Sequence, residues 1–120
     1  MSNQGYVLTR SLELHTAAIL TANGKELDVQ GFCSVTVQVV GLIGDTITFE
    51  VTMDGTNWAG LMVEQAVDGE WALTALANGI YNVPVDGIAK FRARLTRVGG
   101  SVTVFATAST HSCGMSRKIK

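Results

Sequence analysis

The stretch FCSVTVQVVGLIGDTITFEVTM, residues 32–53, decides the fold. Its first half alternates: Cys33, Val35, Val37 and Val39 point one way, Ser34, Thr36 and Gln38 the other. After GLIGD the pattern resumes, with Ile47, Phe49, Val51 and Met53 set against Thr48, Glu50 and Thr52. A period of two is that of a strand with one buried face. On a helix the same apolar residues would be scattered around the whole surface. The density of β-branched residues suits a pleated, half-buried surface.

The same reading extends outward. In KFRARLTR (90–97), Phe91, Ala93 and Leu95 alternate with Arg92, Arg94 and Thr96. In SVTVFATAST (101–110), Val102, Val104, Ala106 and Ala108 share a face. Turn chemistry separates these runs: GLIGD at 41–45, VDGE at 67–70, VDGI at 85–88 and VGGS at 98–101. The Gly-Gly of VGGS suits the positive φ of a tight hairpin. EWALTALANG (70–79) has the length of a short helix ended by Asn78-Gly79, but the Asp-Gly turn before it fits a hairpin better, and it is read as strand. The one proline, Pro84, lies inside YNVPV and assigns that strand to a sheet edge or a bulge. Short strands with closely spaced turns predict an all-β fold, an antiparallel sandwich or barrel, and the alternations are read as the two layers of an antiparallel β-sandwich.

The 120 residues allow a single domain, with a core at about 9–110 and loose arms at 1–8 and 111–120. Apolar residues make up 47% of the chain, which excludes general disorder. The net charge of −1 gives no field favouring nucleic acid. The N-terminal MSNQGYVLTR has no apolar run behind a basic start, so no signal peptide is expected. No apolar run approaches the ~20 residues that span a bilayer, so no membrane partner is expected. The expected site of synthesis is the cytoplasm. There thiols stay reduced, so Cys33 reads as a small buried hydrophobe and Cys113 as a free thiol in the tail.

Candidate chemistry is sparse. The segment FEVTMDGTNWAG (49–60) puts Asp54, Asn57 and Trp58 close together, with no further acidic residue before Glu64. Calcium needs more oxygen ligands than that in a short span. The structural reading is an Asp-Gly turn whose Asn57 bonds locally. His15, Cys33, His111 and Cys113 have no paired zinc spacing, so neither metal nor cofactor is expected. No nucleophile–base pattern or phosphate loop is present, and no catalytic residue is assigned. Arg92 and Arg94 share a strand face. They suit pairing with a carboxylate such as Glu50, or contact with an acidic partner protein. The tail adds Arg117, Lys118 and Lys120 as candidate partner contacts. Trp58, Trp71 and Tyr81 would make a sugar-stacking platform if exposed on one face.

FEVTMDGTNW (49–58), GIY (79–81), FRAR (91–94) and VGGSVTV (98–104) together resemble the small β-sandwich virion proteins of tailed bacteriophages, notably capsid decoration or cement proteins. The resemblance spans residues 33–109. It implies a jelly-roll-like fold, no catalysis, and a homo-oligomer, dimer or trimer, bound across neighbouring major capsid protein subunits on the virion surface. Two other readings stay open: a tail or fibre module, and a carbohydrate-binding module.

Overall fold

The computed structural model describes residues 8–110. It contains eleven strands and, among the described residues, no helix. These are β1 (Thr9–Ala18), β2 (Leu27–Asp28), β3 (Ser34–Val40), β4 (Thr46–Thr52), β5 (Ala59–Gly60), β6 (Val63–Gln65), β7 (Trp71–Ala72), β8 (Thr74–Ala75), β9 (Gly79–Pro84), β10 (Lys90–Thr96) and β11 (Val102–Ser109). They form two antiparallel sheets, one ordered β1-β11-β3-β9-β6-β7 and the other β2-β10-β4-β5, with β8 also paired to β4. Leaving aside the short β6–β7 hairpin, chain neighbours from β1 to β4 and from β9 to β11 lie in alternate sheets. That is the winding of an eight-stranded jelly roll. The antiparallel β-sandwich read from the alternation is the observed fold.

The alternating residues make the filling. Val35, Val37 and Val39 of β3 face Ile47, Phe49 and Val51 of β4 across the sandwich, and all are buried. Phe49 sits at the centre, with its ring 5.4 Å from that of Tyr81 and 6.2 Å from that of Phe91. β1 carries a register shift between Glu13 and His15, so Leu14 and His15 are both buried. The His15 Nε2 lies 2.6 Å from the Ala93 carbonyl oxygen, tying the edge of one sheet to the centre of the other.

Three expectations need correction. VGGS does not close a hairpin: β10 and β11 lie in different sheets, and neither Gly99 nor Gly100 has a positive φ. The turn residues mark a crossing between sheets, and the glycines are needed there for space. Pro84 is not on an edge strand, since β9 lies between β3 and β6. It is tolerated because it ends the strand, beyond the last residue paired with β6, Asn82. Cys33 is not a free thiol but is disulfide-bonded. It sits half-buried just before β3, with its amide donating to the Ser109 carbonyl at 3.0 Å. The chain's other cysteine, Cys113, follows four residues later and lies outside the described residues. Cys33→Ser is expected to lower the unfolding free energy by about 2–4 kcal/mol. Denaturant unfolding with and without reductant checks this: reductant should destabilise the native chain and leave the variant unchanged.

EWALTALANG is extended, as read, but it is split. β7 pairs with β6 in one sheet and β8 with β4 in the other, and Leu73 marks the change. Of the expected N-terminal arm, Leu8 is described and is held: its amide donates to the Thr110 hydroxyl, and its carbonyl accepts from the Thr110 amide. The remainder of both arms lies outside the described residues.

Candidate interaction surface

The loop at 53–58 is a self-contained turn. Asp54 Oδ1 accepts from the amides of Thr56 and Asn57, both at 2.8 Å, and from the Thr52 hydroxyl at 3.0 Å. Its Oδ2 accepts from the Asn57 side-chain amide at 2.7 Å. These donors, the Asn57 and Thr56 amides foremost, hold the carboxyl well below the usual aspartate range. With its lone pairs so occupied, the carboxylate serves the turn between β4 and β5. Beside it lies a shallow apolar recess of about 300 Å³, lined by Val51, Met53, Ala59 and Ile88 among others. No group of three or more His, Cys, Asp or Glu residues is arranged for a metal among the described residues.

The basic residues part company. Arg92 is committed internally. Its Nε donates to Glu50 Oε1 at 2.8 Å, and its guanidinium lies 4.1 Å from the centre of the Trp58 ring. This is the cross-strand pairing weighed from the sequence, and it leaves Arg92 little freedom to meet a partner. Arg94, two residues on, is exposed. Arg97 donates from Nε to the Gly100 carbonyl at 3.0 Å. Arg117, Lys118 and Lys120 lie outside the described residues.

The aromatic platform is not formed. Tyr81 is buried, donating its hydroxyl to the Ala77 carbonyl at 2.6 Å; burial, above all, raises its pKa. Trp58 packs on the outer face of the five-stranded sheet, and Trp71 belongs to β7 of the six-stranded sheet. A sugar ring cannot stack on aromatics placed on opposite sides of a sandwich.

A different surface stands out. At one end of the sandwich five loops emerge together: 19–26, 41–45, 66–70, 76–78 and 97–101. Each presents a large aliphatic side chain to solvent. Ile19, Leu20, Ile43, Val67, Leu76 and Val98 are between 58 and 89% exposed. At the opposite end only Leu8 and Met53 are large exposed apolar residues among those described. Isolated exposed aliphatics are ordinary, but six gathered at one end are not.

These loops are held rigidly. Asp45 is 1% exposed, and its carboxylate accepts from three amides: Ile43 at 2.7 Å, Gly99 at 3.0 Å, and Val98. It therefore knots the 41–45 loop to the 97–101 loop. The Ile43 amide is the main cause lowering its pKa below the ordinary value; burial works against this, and the amides of Val98, Gly99 and Gly100 add to it. Thr21 Oγ1 accepts from the Arg97 amide at 2.9 Å, and Asn78 Oδ1 accepts from the Leu42 amide at 2.9 Å. Four of the five loops are thus laced into one platform. The sequence held a signal for it. GLIGD and RVGGS place Ile43 and Val98 amid turn residues, where polar side chains are the rule.

Residues 9–108 match the XepA family. The crystal structure of the SPBc2 prophage-derived protein YomS superposes with a TM-score of 0.81 at 23% identity, over 87% of this chain and 95% of that one. The crystal structure of the PBSX exported protein XepA gives a TM-score of 0.81 at 19% identity, over 86% of this chain and 38% of that one. This chain thus spans well under half the length of XepA. At these identities the superpositions speak for the fold alone. No curated protein matches the sequence. The family match covers most of the sequence, and the chain belongs to the XepA family.

Proposed function

We propose that this protein is a non-enzymatic phage structural protein that decorates the capsid, docking its aliphatic loop end across neighbouring capsid subunits. The prophage origin of YomS, a structural relative, supports a phage setting. The observation that carries the docking is the platform itself. A buried carboxylate and two side-chain hydrogen bonds hold aliphatic side chains out in water. Ordering the loops beforehand removes an entropic cost of association. Each aliphatic residue buried in a partner groove contributes about 1.5–3 kcal/mol. Many copies on one shell turn modest contacts into durable attachment.

Pelleting of purified heads with added protein tests this. The native chain should co-sediment saturably. Ile43→Asp combined with Val98→Asp should weaken binding at least ~100-fold while the fold is kept, since two buried contacts are lost. Absence of binding by the native chain, or equal binding by the variant, contradicts the proposal.

A second reading has its own support. The Cys33 disulfide suits an oxidising compartment, and XepA is described as exported. On that reading the platform meets a target outside the cell. Fractionation after phage induction separates the two: protein sedimenting with heads favours decoration, and protein free in the medium favours export.

A further inference from the structure

The core is left open to solvent beside the 53–58 turn. The recess of about 300 Å³ there is walled by Val51, a member of the core, and by Ile88, which packs against it. Met53 lines the same recess and is 74% exposed. Asp54 and Asn57 border it, but the Asn57 side-chain amide donates to the Asp54 carboxylate at 2.7 Å. A small-molecule site needs a few polar groups turned inward to orient its ligand. Here the polar groups serve the turn, and what remains is a seat for an aliphatic side chain.

We infer that the occupant is the chain's own C-terminal segment, 114–120, with Ile119 inserted and Arg117, Lys118 and Lys120 around it. The point of attachment selects this segment. Cys33 is disulfide-bonded, and the chain has one other cysteine, Cys113, to close that bond. The Cys33 carbonyl accepts from the Val85 amide at 2.9 Å, and the Val85 carbonyl accepts from the Ile88 amide at 3.0 Å. The anchor is therefore two hydrogen bonds from the wall of the recess. The length also fits. Paired residues of antiparallel strands have Cα atoms about 5.5 Å apart, and the ends of a β-turn less than about 7 Å. Ile88 thus lies within roughly 12 Å of Cys33, and a disulfide adds about 6 Å. Ile119 follows Cys113 by six residues, and an extended chain of that length spans roughly 20 Å.

Charge agrees with this placement. The recess is flanked by the carboxylates of Asp54 and of Asp86, two residues before Ile88. The segment carries three cationic side chains and no acidic one. The neighbouring cation on β10, Lys90, is paired with Glu26 at 3.5 Å and does not oppose it. Opposite charges at this range attract across less than a Debye length. The recess lies at the far end of the sandwich from the aliphatic loops, so the inference does not depend on docking to the capsid.

Met53 reports on the seat, because a covered thioether is shielded from peroxide. Its oxidation in the full chain is followed by peptide mass spectrometry over a dilution series. The native chain should be oxidised at Met53 at least ~5-fold more slowly than Ile119→Asp, the protection expected of an aliphatic side chain buried at some entropic cost. Ile119→Leu should keep the protection. Arg117→Glu combined with Lys118→Glu should lose it, as two attractions become repulsions. The circular dichroism of all three variants should match that of the native chain. Three results overturn the inference: Met53 oxidised as fast in the native chain as in Ile119→Asp, protection that survives the paired charge reversal, or protection that fades on dilution and so comes from another molecule. Loss of head binding with Met53 still protected counts against the capsid reading alone.

Discussion

Gly100→Ala is expected to be among the most damaging small substitutions in the sandwich, costing at least ~3 kcal/mol. Gly100 is buried where the crossing from β10 to β11 meets the crossing from β3 to β4. A methyl group there would overlap the Gly41 carbonyl oxygen and the Asp45 carboxylate. Neither can yield. Gly41 has φ +89 and is itself pressed against the Ser101 carbonyl, and Asp45 is fixed by its amide donors. For a domain of this size the melting temperature should fall by roughly 15 °C. Gly31→Ala is the control. Its φ is +86, but nothing lies near the added methyl, so only backbone strain of about 1–2 kcal/mol is expected. Equal melting temperatures for the two variants would show that close approach is not what position 100 requires.

Asp45→Ala is the second large effect. It leaves the amides of Ile43, Val98 and Gly99 without their acceptor at a buried site. Asp45→Asn is not a conservative rescue, because its Nδ2–H group must face one of those N–H donors. Both variants should melt on the order of 10 °C lower than the native chain. The pH dependence follows from the lowered pKa. The native carboxylate holds its proton less tightly than the unfolded one, so its stabilisation is fully present above the unfolded value near 3.8. It is lost as pH falls through the lower folded value. Asp54 is shifted the same way and acts in the same acid window. The native melting temperature should therefore drop steeply below about pH 4, and the Asp45→Ala profile should be flatter there while Asp54 still contributes. Parallel profiles would mean that the Asp45 knot contributes no acid sensitivity.

The strands were legible because one face of each is buried without interruption. Val35, Val37 and Val39, or Phe91, Ala93 and Leu95, show their burial in their spacing. Turns were legible as turns, but not as crossings. Glycine announces a change of direction, and the sheet that receives the next strand depends on contacts far away in sequence, such as Asp45 with Gly99. β1 was hidden because its bulge buries Leu14 and His15 in succession and breaks the alternation. The disulfide escaped because Cys33 keeps phase with the valines although it lies beyond the strand they form.

The site was partly legible. Pairing of Arg92 with Glu50 follows from residues opposed on neighbouring strands. That Trp58 also covers Arg92 does not, since it depends on how the 53–58 loop folds back. The loop platform is hard to see in the sequence because each aliphatic tip, taken alone, is an ordinary exposed residue. Only the topology collects Leu20, Ile43, Leu76 and Val98 at one end.

Imaging of the intact particle at a resolution that distinguishes sheets from loops is the decisive experiment for capsid docking. The expected result is a sandwich on the outer surface of the head, with the 41–45 and 97–101 loops turned toward the shell. Density for this chain absent from the head, or a sandwich whose aliphatic end points into solvent, would contradict it.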